Sequence, residues 1–177
     1  ALLLLPASGH AADPIKVGVV TPLSGSYAPI GKEVRWGAEL AVKEINAAGG
    51  GNGRKFELLF EDEEANPAVA VRKSEKLLQQ DKVDLLTGTV NSGSTLAVGQ
   101  LAERNSRILV TTVSYATSIT GDQCNKDVFR VNANAHMQSS ALTGWLTKNV
   151  SGKRYFFMGP DYEMGQHDQR IPGRHQA

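Results

Sequence analysis

Residues 15–66 read IKVGVVTPLSGSYAPIGKEVRWGAELAVKEINAAGGGNGRKFELLFEDEEAN, and this stretch decides the fold. A short apolar strand (15–21) leads into a polar loop, and an amphipathic helix (31–47) follows. A glycine-rich turn then precedes a second apolar strand (55–61) that ends in carboxylates. This order predicts an open parallel α/β sheet, in which ligands bind at the carboxyl ends of the strands.

The rest of the chain repeats this alternation. Short apolar runs are typical of strands buried on both faces of a parallel sheet, and apolar residues spaced three to four apart indicate helices. Further strands are predicted at 83–88, 107–113, 128–131 and 154–158, and further helices at 67–80, 94–105 and 134–149. Asn66 is the predicted cap of the helix at 67–80, with Pro67 at its first position. Right-handed crossovers then give an α/β fold, a three-layer parallel-sheet sandwich. In the first helix the predicted sheet-facing stripe is Val34, Ala38, Ala41 and Ile45.

Composition limits the function classes. The 177 residues suffice for one domain or slightly more, and 41% hydrophobic with 21% charged residues is ordinary for a globular chain. The formal net charge of +1 provides no strong field for nucleic acid or an anionic membrane, so neither is an expected partner.

Residues 1–12 read ALLLLPASGHAA, a short apolar run followed by small residues. This is the pattern of the second half of a secretory signal peptide, and it is too short to span a membrane. The sequence therefore predicts a signal-peptide remnant and export to the periplasm, and the alternative is a frayed hydrophobic terminus.

Metal and catalytic motifs are missing from the sequence. Cys124 is the single cysteine, and the four histidines show no metal-ligand spacing. Gly25 to Lys32 resembles a phosphate-binding loop but has five residues between its glycines and Glu33 after the lysine, where that loop needs four and a serine or threonine. No dinucleotide fingerprint follows the first strand, and no nucleophile–base pair supports the remaining hypothesis of a hydrolase. We predict no catalytic residue, metal or cofactor.

The loop after the third strand, Thr89 to Thr95, opens a helix and contains Ser92, Gly93 and Ser94. Free N–H groups at a helix N-terminus, with serine hydroxyls beside them, can bind a carboxylate or a small amide. Alternatively, Ser92 or Ser94 simply caps the helix. The position at the end of a parallel strand favours a ligand role.

Two further loops are expected at the same edge. The loop after the fourth strand contains Ser114, Tyr115, Ala116 and Thr117, and the first loop contributes Ser24, Tyr27 and Ile30. Together with the loop at Ser92 they predict the walls of one crevice. The carboxylates at 61–64 are interpreted as a solvated strand end.

In order and spacing, these segments resemble the type I periplasmic solute-binding proteins, especially the leucine/isoleucine/valine-binding branch of ABC-transporter substrate-binding proteins. The resemblance covers residues 15–166. The segments that carry it are IKVGVVTPLSGSYAPIG, AELAVKEINAAGG, the turn from Asp62 to Pro67, SGST at 92–95, FRVNAN and GPDYEMG.

The resemblance implies two α/β lobes that close on a solute about a hinge. It implies an incomplete first lobe at 13–131 and the start of a second lobe at 132–166. The residues after 166 are polar and show no helical stripe where a parallel sheet needs a helix, which predicts an aberrant or truncated tail at 167–177. Ser92 and the adjacent backbone would receive the α-carboxylate of a ligand, and the loop from Ser114 to Thr117 its carboxylate and ammonium. A monomer that delivers its ligand to an ABC permease in the inner membrane is the implied assembly.

Several positions depart from the family pattern. Ile30, Ala116 and Met164 replace an aromatic residue, a threonine and a tyrosine, and Ala65 and Asn91 stand where some members have a disulfide. Amides, urea and aromatic acids therefore remain open as ligands beside branched-chain amino acids. The resemblance also implies that the acid which would hold a ligand ammonium, and the strands that complete lobe one, are missing from this fragment.

The leading hypothesis is thus an extracytoplasmic substrate-binding protein that closes on a small amino acid or amide. The alternative is a ligand-sensing regulator built on the same scaffold, acting through a protein partner. As an N-terminal fragment, the polypeptide is expected to unfold with weak cooperativity, because its sheet would end on an unpaired edge.

Overall fold

The computed structural model describes residues 13–151 and residue 159. Five strands alternate with helices along the chain. The elements are β1 (Ile15–Thr21), α1 (Ala28–Ala47), β2 (Phe56–Asp62), α2 (Pro67–Gln79), β3 (Leu85–Gly88), α3 (Ser92–Arg104), β4 (Ile108–Thr111), a 3-10 turn (Thr117–Thr120), β5 (Val128–Arg130) and α4 (Ala135–Asn149).

All strands pair in parallel in the order β2-β1-β3-β4-β5. The chain therefore moves outward from β1 to β2 and then crosses back to β3. With right-handed crossovers this reversal puts α1 on one face of the sheet and α2 and α3 on the other. The predicted three-layer α/β sandwich is confirmed.

The face covered by α2 and α3 contains the main hydrophobic core. Leu77 of α2, Leu86 of β3, Val98 of α3 and Leu109 of β4 are all almost completely buried in one cluster. Such packing tolerates truncation poorly, since a buried leucine replaced by alanine destabilises a domain by about 2–5 kcal/mol. This core fixes the spacing of β1, β3 and β4.

Helix α1 packs differently from the prediction. Val34 and Ala38 are half-buried as expected, but Ala41 and Ile45 are exposed, so that part of the predicted stripe is wrong. The reason is Asn46, whose side-chain amide accepts from the Phe56 N–H (2.7 Å) and donates to the Phe56 carbonyl (2.9 Å). These two bonds turn the last part of α1 so that its half-buried positions follow a spacing of four.

The ends of most elements differ by a few residues from the sequence predictions. Helix α1 begins at Ala28 instead of residue 31, because Pro29 stands in its first turn, where the fixed φ of proline favours a helix. Helix α3 begins at Ser92 instead of residue 94, because Asn91 caps it. The remaining strand ends shift by one or two residues, as for β2, predicted at 55–61.

The predicted apolar face of α4 has little cover among the described residues, since Met137, Leu142 and Trp145 are more than half exposed. The predicted strand at 154–158, the signal-peptide remnant at 1–12, Met164 and the tail at 167–177 all lie outside the described residues.

Candidate functional site

The carboxyl ends of β1, β3 and β4 lie level with one another at one edge of the sheet. Val20 pairs with Gly88, and Gly88 pairs with Thr111. β1 and β3 are neighbours from which the chain leaves toward opposite faces, and α/β sheets bind ligands at such a switch point. The candidate site is therefore the crevice at these strand ends. We call residues 88–95 and 114–117 its inner wall, and residues 22–30 its outer wall.

The inner wall begins with a sharp turn. Gly88 has φ 99° and Thr89 has φ 59°, which is the left-handed region in which side chains are disfavoured. A Cβ on residue 88 would also overlap the Val20 carbonyl of β1. The glycine thus allows the chain to turn closely over β1 before α3 starts.

Asn91 occupies the N-terminus of α3. Its Oδ1 accepts from the N–H groups of Gly93 (2.9 Å) and Ser94 (3.2 Å), and its carbonyl accepts from the Thr95 N–H. Neither Ser92 nor Ser94 is therefore the cap. The expectation that the Gly93 and Ser94 amides are free to receive an anion is wrong for this structure, because the asparagine side chain satisfies them.

Buried hydroxyls tie the inner wall to the sheet. Thr95 Oγ1 donates to Thr89 Oγ1 (2.9 Å) and is hydrogen-bonded to Ser114 Oγ. Thr89 Oγ1 also lies 3.2 Å from Thr111 Oγ1, and Ser114 Oγ donates to the Thr89 carbonyl (3.0 Å). The four residues are 0% exposed. Since a buried unpaired hydroxyl is unfavourable, this closed network holds the two halves of the inner wall in one arrangement.

The peptide group of Ala116 is held from both sides. Its N–H donates to Ser92 Oγ (3.3 Å), and its carbonyl accepts from Arg130 Nη1 (2.7 Å). Arg130 also donates to the Thr120 hydroxyl, and partial burial lowers the pKa of its guanidinium. Arg130 was not predicted as a site residue from the sequence. The only signal was its place in the FRVNAN segment, which carries part of the family resemblance.

The structure brings the sequence-predicted site residues to one edge of the sheet, although it buries several of them. Ser92, Ser94, Ser114 and Ala116 are fully buried, whereas Gly93, Tyr115, Thr117, Tyr27 and Ile30 are half-buried. Ser92 reaches across to the second half of the inner wall, so its hydroxyl already has a donor. The role of these residues in ligand binding remains a prediction.

Asp62, at the end of β2, anchors the outer wall. Its Oδ1 accepts from the N–H groups of Leu23 (2.8 Å) and Glu64 (2.9 Å). Burial alone would raise the Asp62 pKa, but hydrogen bonds from the Ser24 hydroxyl and from these amides outweigh it and lower the pKa. Ser24, Gly25 and Ser26 are nevertheless exposed.

The interpretation of residues 61–64 as a solvated strand end is wrong for two of them. Glu61 is 8% exposed, and Glu63 is 0% exposed. Burial would raise the Glu61 pKa, but hydrogen bonds from Lys73 (2.7 Å) and Lys76 lower it. Alternation explains the error, because residues two apart on an extended chain share one face and here that face points inward.

A cleft of about 510 Å³ lies elsewhere, between α3 and the segment 119–128. Its rim includes Gln100, Glu103 and Lys126, and it runs along the side of a helix instead of at the strand ends. We place the site at the strand ends because the sheet topology and the polar residues converge there. Among residues 13–151, no cluster of His, Cys, Asp and Glu could hold a metal ion, and no helix has the length and hydropathy to cross a membrane.

Comparison with known proteins gives a consistent result. Residues 14–170 match the family described as periplasmic binding protein. The chain is 31% identical over 148 residues to a Leu/Ile/Val-binding protein homolog of Brucella melitensis, covering 84% of this chain and 39% of that protein.

Solved structures share the fold. A branched-chain amino acid transporter substrate-binding protein of Streptococcus pneumoniae, solved with isoleucine, has a TM-score of 0.71 and 29% identity over 77% of this chain and 38% of that one. A periplasmic binding protein of Burkholderia mallei has a TM-score of 0.80 and 26% identity over 89% of this chain and 42% of that one.

The chain thus spans less than half the length of the relatives it matches. The family consists of solute-binding proteins and not of enzymes, as the missing catalytic motifs predict. This chain belongs to the periplasmic binding protein family, in its type I, branched-chain amino acid-binding group.

Proposed function

We propose that this chain forms part of an extracytoplasmic substrate-binding protein of an ABC importer, and that its crevice receives a branched-chain or related amino acid. The observation that carries the proposal is the bond from the Ala116 N–H to Ser92 Oγ, which joins the two halves of the inner wall at the strand ends. Relatives named for leucine, isoleucine and valine binding support the ligand class.

The chemistry of the walls supports a small ligand of low net charge. Residues 21–31, 88–99 and 111–121 contain no lysine, arginine or histidine. They present hydroxyls, backbone groups and the two phenols Tyr27 and Tyr115 instead. Arg130, which contacts the inner wall, already donates to the Ala116 carbonyl and the Thr120 hydroxyl. A multiply charged anion such as phosphate would therefore find no cation on these segments, whereas the polar end of an amino acid or amide matches neutral donors and acceptors.

Binding proceeds in this proposal by closure of two lobes around the ligand. Residues 13–131 form the first lobe and residues 132–166 begin the second, and the ligand stabilises the closed state by contacting both. The described residues already link these regions, since the Ala135 N–H donates to the Tyr115 carbonyl (2.8 Å) and Asn132 donates to the Ser114 carbonyl (3.2 Å).

Export and delivery belong to the same proposal. The apolar run at residues 1–12 would direct secretion, and a monomer would deliver its ligand to a permease in the inner membrane. The comparisons support the importer role and give no support to the alternative of a regulator.

Isothermal titration calorimetry tests the proposal. The complete protein of which this chain forms part is purified and titrated with leucine, isoleucine, valine, their amides, urea and aromatic acids. Ser92→Ala should weaken binding of the preferred ligand by about tenfold, because it removes one hydrogen-bonding hydroxyl from the inner wall. Ser140→Ala, at an exposed position of α4 outside both walls, is the matched control and should leave affinity within about twofold.

Flat titrations for every ligand would contradict the proposal. If the wild type and Ser92→Ala bound the ligand with equal affinity, the binding function would stand, but its site would not be the inner wall.

A further inference from the structure

Glu63 is a buried acid that the proposed binding function does not use. Its side chain is 0% exposed, and Oε1 accepts from the Val90 N–H of the inner wall (2.8 Å). Its own N–H donates to the Thr21 carbonyl at the end of β1 (3.3 Å), and its carbonyl accepts from the Asn66 N–H (2.8 Å). One residue thus connects the ends of β1, β2 and β3.

The other carboxylate oxygen, Oε2, and the Ser94 hydroxyl are both buried without a hydrogen-bond partner among the described residues. The Ser94 hydroxyl and the Asn91 N–H, both at the start of α3, are near enough to the carboxylate to lower its pKa. Glu63 therefore lies directly behind the loop that the sequence predicts to receive a ligand carboxylate.

No cation compensates this acid among the described residues. The loops at residues 21–31 and 88–95 contain no basic residue, and Lys73 and Lys76 of α2 pair with Glu61. Its chain neighbours Asp62 and Glu64 are themselves acids. Burial raises the Glu63 pKa, the Val90 N–H, Ser94 hydroxyl and Asn91 N–H lower it, Asp62 raises it, and the net shift is upward.

We propose that Glu63 is a positioning residue that braces the inner wall, and that it takes up a proton when the carboxylate of a ligand occupies the crevice beside the start of α3. This rests on the proposed function. A second negative charge close to a buried, uncompensated carboxylate is unfavourable at low dielectric, and protonation of Glu63 removes the repulsion. The proton comes from solvent, and it returns to solvent when the ligand leaves.

The linkage has a defined direction. Because ligand binding takes up a proton, affinity for a carboxylate ligand should fall as pH rises, by up to about tenfold per pH unit where Glu63 titrates. A ligand that has an amide in place of the carboxylate adds no charge, and its affinity should not depend on Glu63.

Calorimetry with two probes measures this directly. L-leucine and L-leucinamide are titrated at several pH values, each in buffers of different ionisation enthalpy, so that the number of protons taken up is obtained. The wild type should take up protons when it binds leucine. Binding of leucinamide should cause no proton uptake by Glu63. Glu63→Gln keeps an acceptor for the Val90 N–H and should bind leucine with a flat pH profile.

Two further variants separate charge from structure. Glu64→Gln, next in the chain and exposed, should keep the wild-type pH profile. Glu63→Ala removes the brace and should weaken leucine binding by about tenfold or more at every pH. Leucine binding without proton uptake, or a wild-type pH profile in Glu63→Gln, would overturn the proton linkage while leaving the proposed function intact.

Stability provides a readout that needs no ligand. Folding raises the Glu63 pKa, so this residue's contribution to the free energy of unfolding is present at low pH and is lost as pH rises through the folded pKa. Glu63→Gln should therefore gain stability over the wild type as pH increases from 4 toward 8.

If leucine and all other ligands fail to bind, the proposed function is wrong, and so is the proton uptake that rests on it. If the difference in stability between the wild type and Glu63→Gln did not change with pH, Glu63 would not be the group that titrates.

Discussion

The inner and outer walls of the crevice differ in how firmly the chain holds them. The inner wall is fixed by a left-handed turn, an asparagine cap and buried hydroxyls that bond to one another. The outer wall presents exposed residues at 24–26, and Asp62 is its main anchor. A preformed wall lowers the entropic cost of binding a constant chemical group, whereas a looser wall can vary with the ligand.

The largest expected effect comes from adding a side chain at the tight turn that begins the inner wall. Gly88→Ala should destabilise the protein by about 3 kcal/mol or more, because its Cβ would overlap the Val20 carbonyl and its φ of 99° is unfavourable for alanine. Chemical denaturation measures the free energy of unfolding.

Gly25→Ala is the matched variant in the outer wall. Gly25 has φ 70°, but a Cβ there would meet nothing within 4 Å. We expect a loss of about 1 kcal/mol from backbone strain alone. Equal losses for the two variants would show that the walls are held equally.

Removing a single oxygen from the hydroxyl network should have an intermediate effect. Thr95→Val has nearly the same shape but removes the hydrogen bonds that join the Thr95 hydroxyl to Thr89 and Ser114, which keep their bonds to Thr111 and to backbone carbonyls. The free energy of unfolding should therefore fall by about 1–2 kcal/mol. Ser26→Ala in the outer wall should change it by less than about 0.5 kcal/mol. Thermal denaturation compares the two, and an unaffected Thr95→Val would show that the network contributes no rigidity.

The smallest effect concerns the anchor of the outer wall and depends on pH. The Asp62 pKa is lower in the folded protein, so its stabilisation is present above the ordinary aspartate pKa of about 3.9 and is lost as pH falls through the folded value. Asp62→Asn should therefore reduce stability at pH 7 by about half a kcal/mol or less, and this difference should disappear below pH 4.

Melting temperatures of both proteins between pH 3 and pH 7 provide the measurement, with Asp122→Asn at an exposed position as the control. A difference that grows toward low pH would contradict the sign of the Asp62 shift.

The order of strands and helices was predictable because it depends on local patterns. Apolar runs marked each described strand, and Asn66 followed by Pro67 marked the start of α2 with its cap. The rotation of α1 was not predictable, since it depends on the bond between Asn46 and Phe56 across the glycine-rich turn. Helical periodicity identifies an apolar stripe but not the distant polar group that selects which residues are buried.

The candidate site was predictable in position and not in detail. Strand-end loops rich in hydroxyls located Ser92 and Ser114 at one edge. The cap by Asn91 could have been found by the rule that identified Asn66, because an asparagine immediately precedes both α2 and α3. The burial of Glu63 could not have been predicted, because acids at a strand end are usually solvated and only the packed loops exclude water from this one.

The exposed surface of α1 has a practical consequence. Trp36 is 63% exposed, and the second of the two tryptophans, Trp145 on α4, is 58% exposed. Intrinsic fluorescence of the isolated chain would therefore come from indoles in contact with water, on helix surfaces and outside the crevice walls. Quenching by acrylamide would report on those surfaces, and an emission change on adding an amino acid would signal that α1 or α4 had been covered.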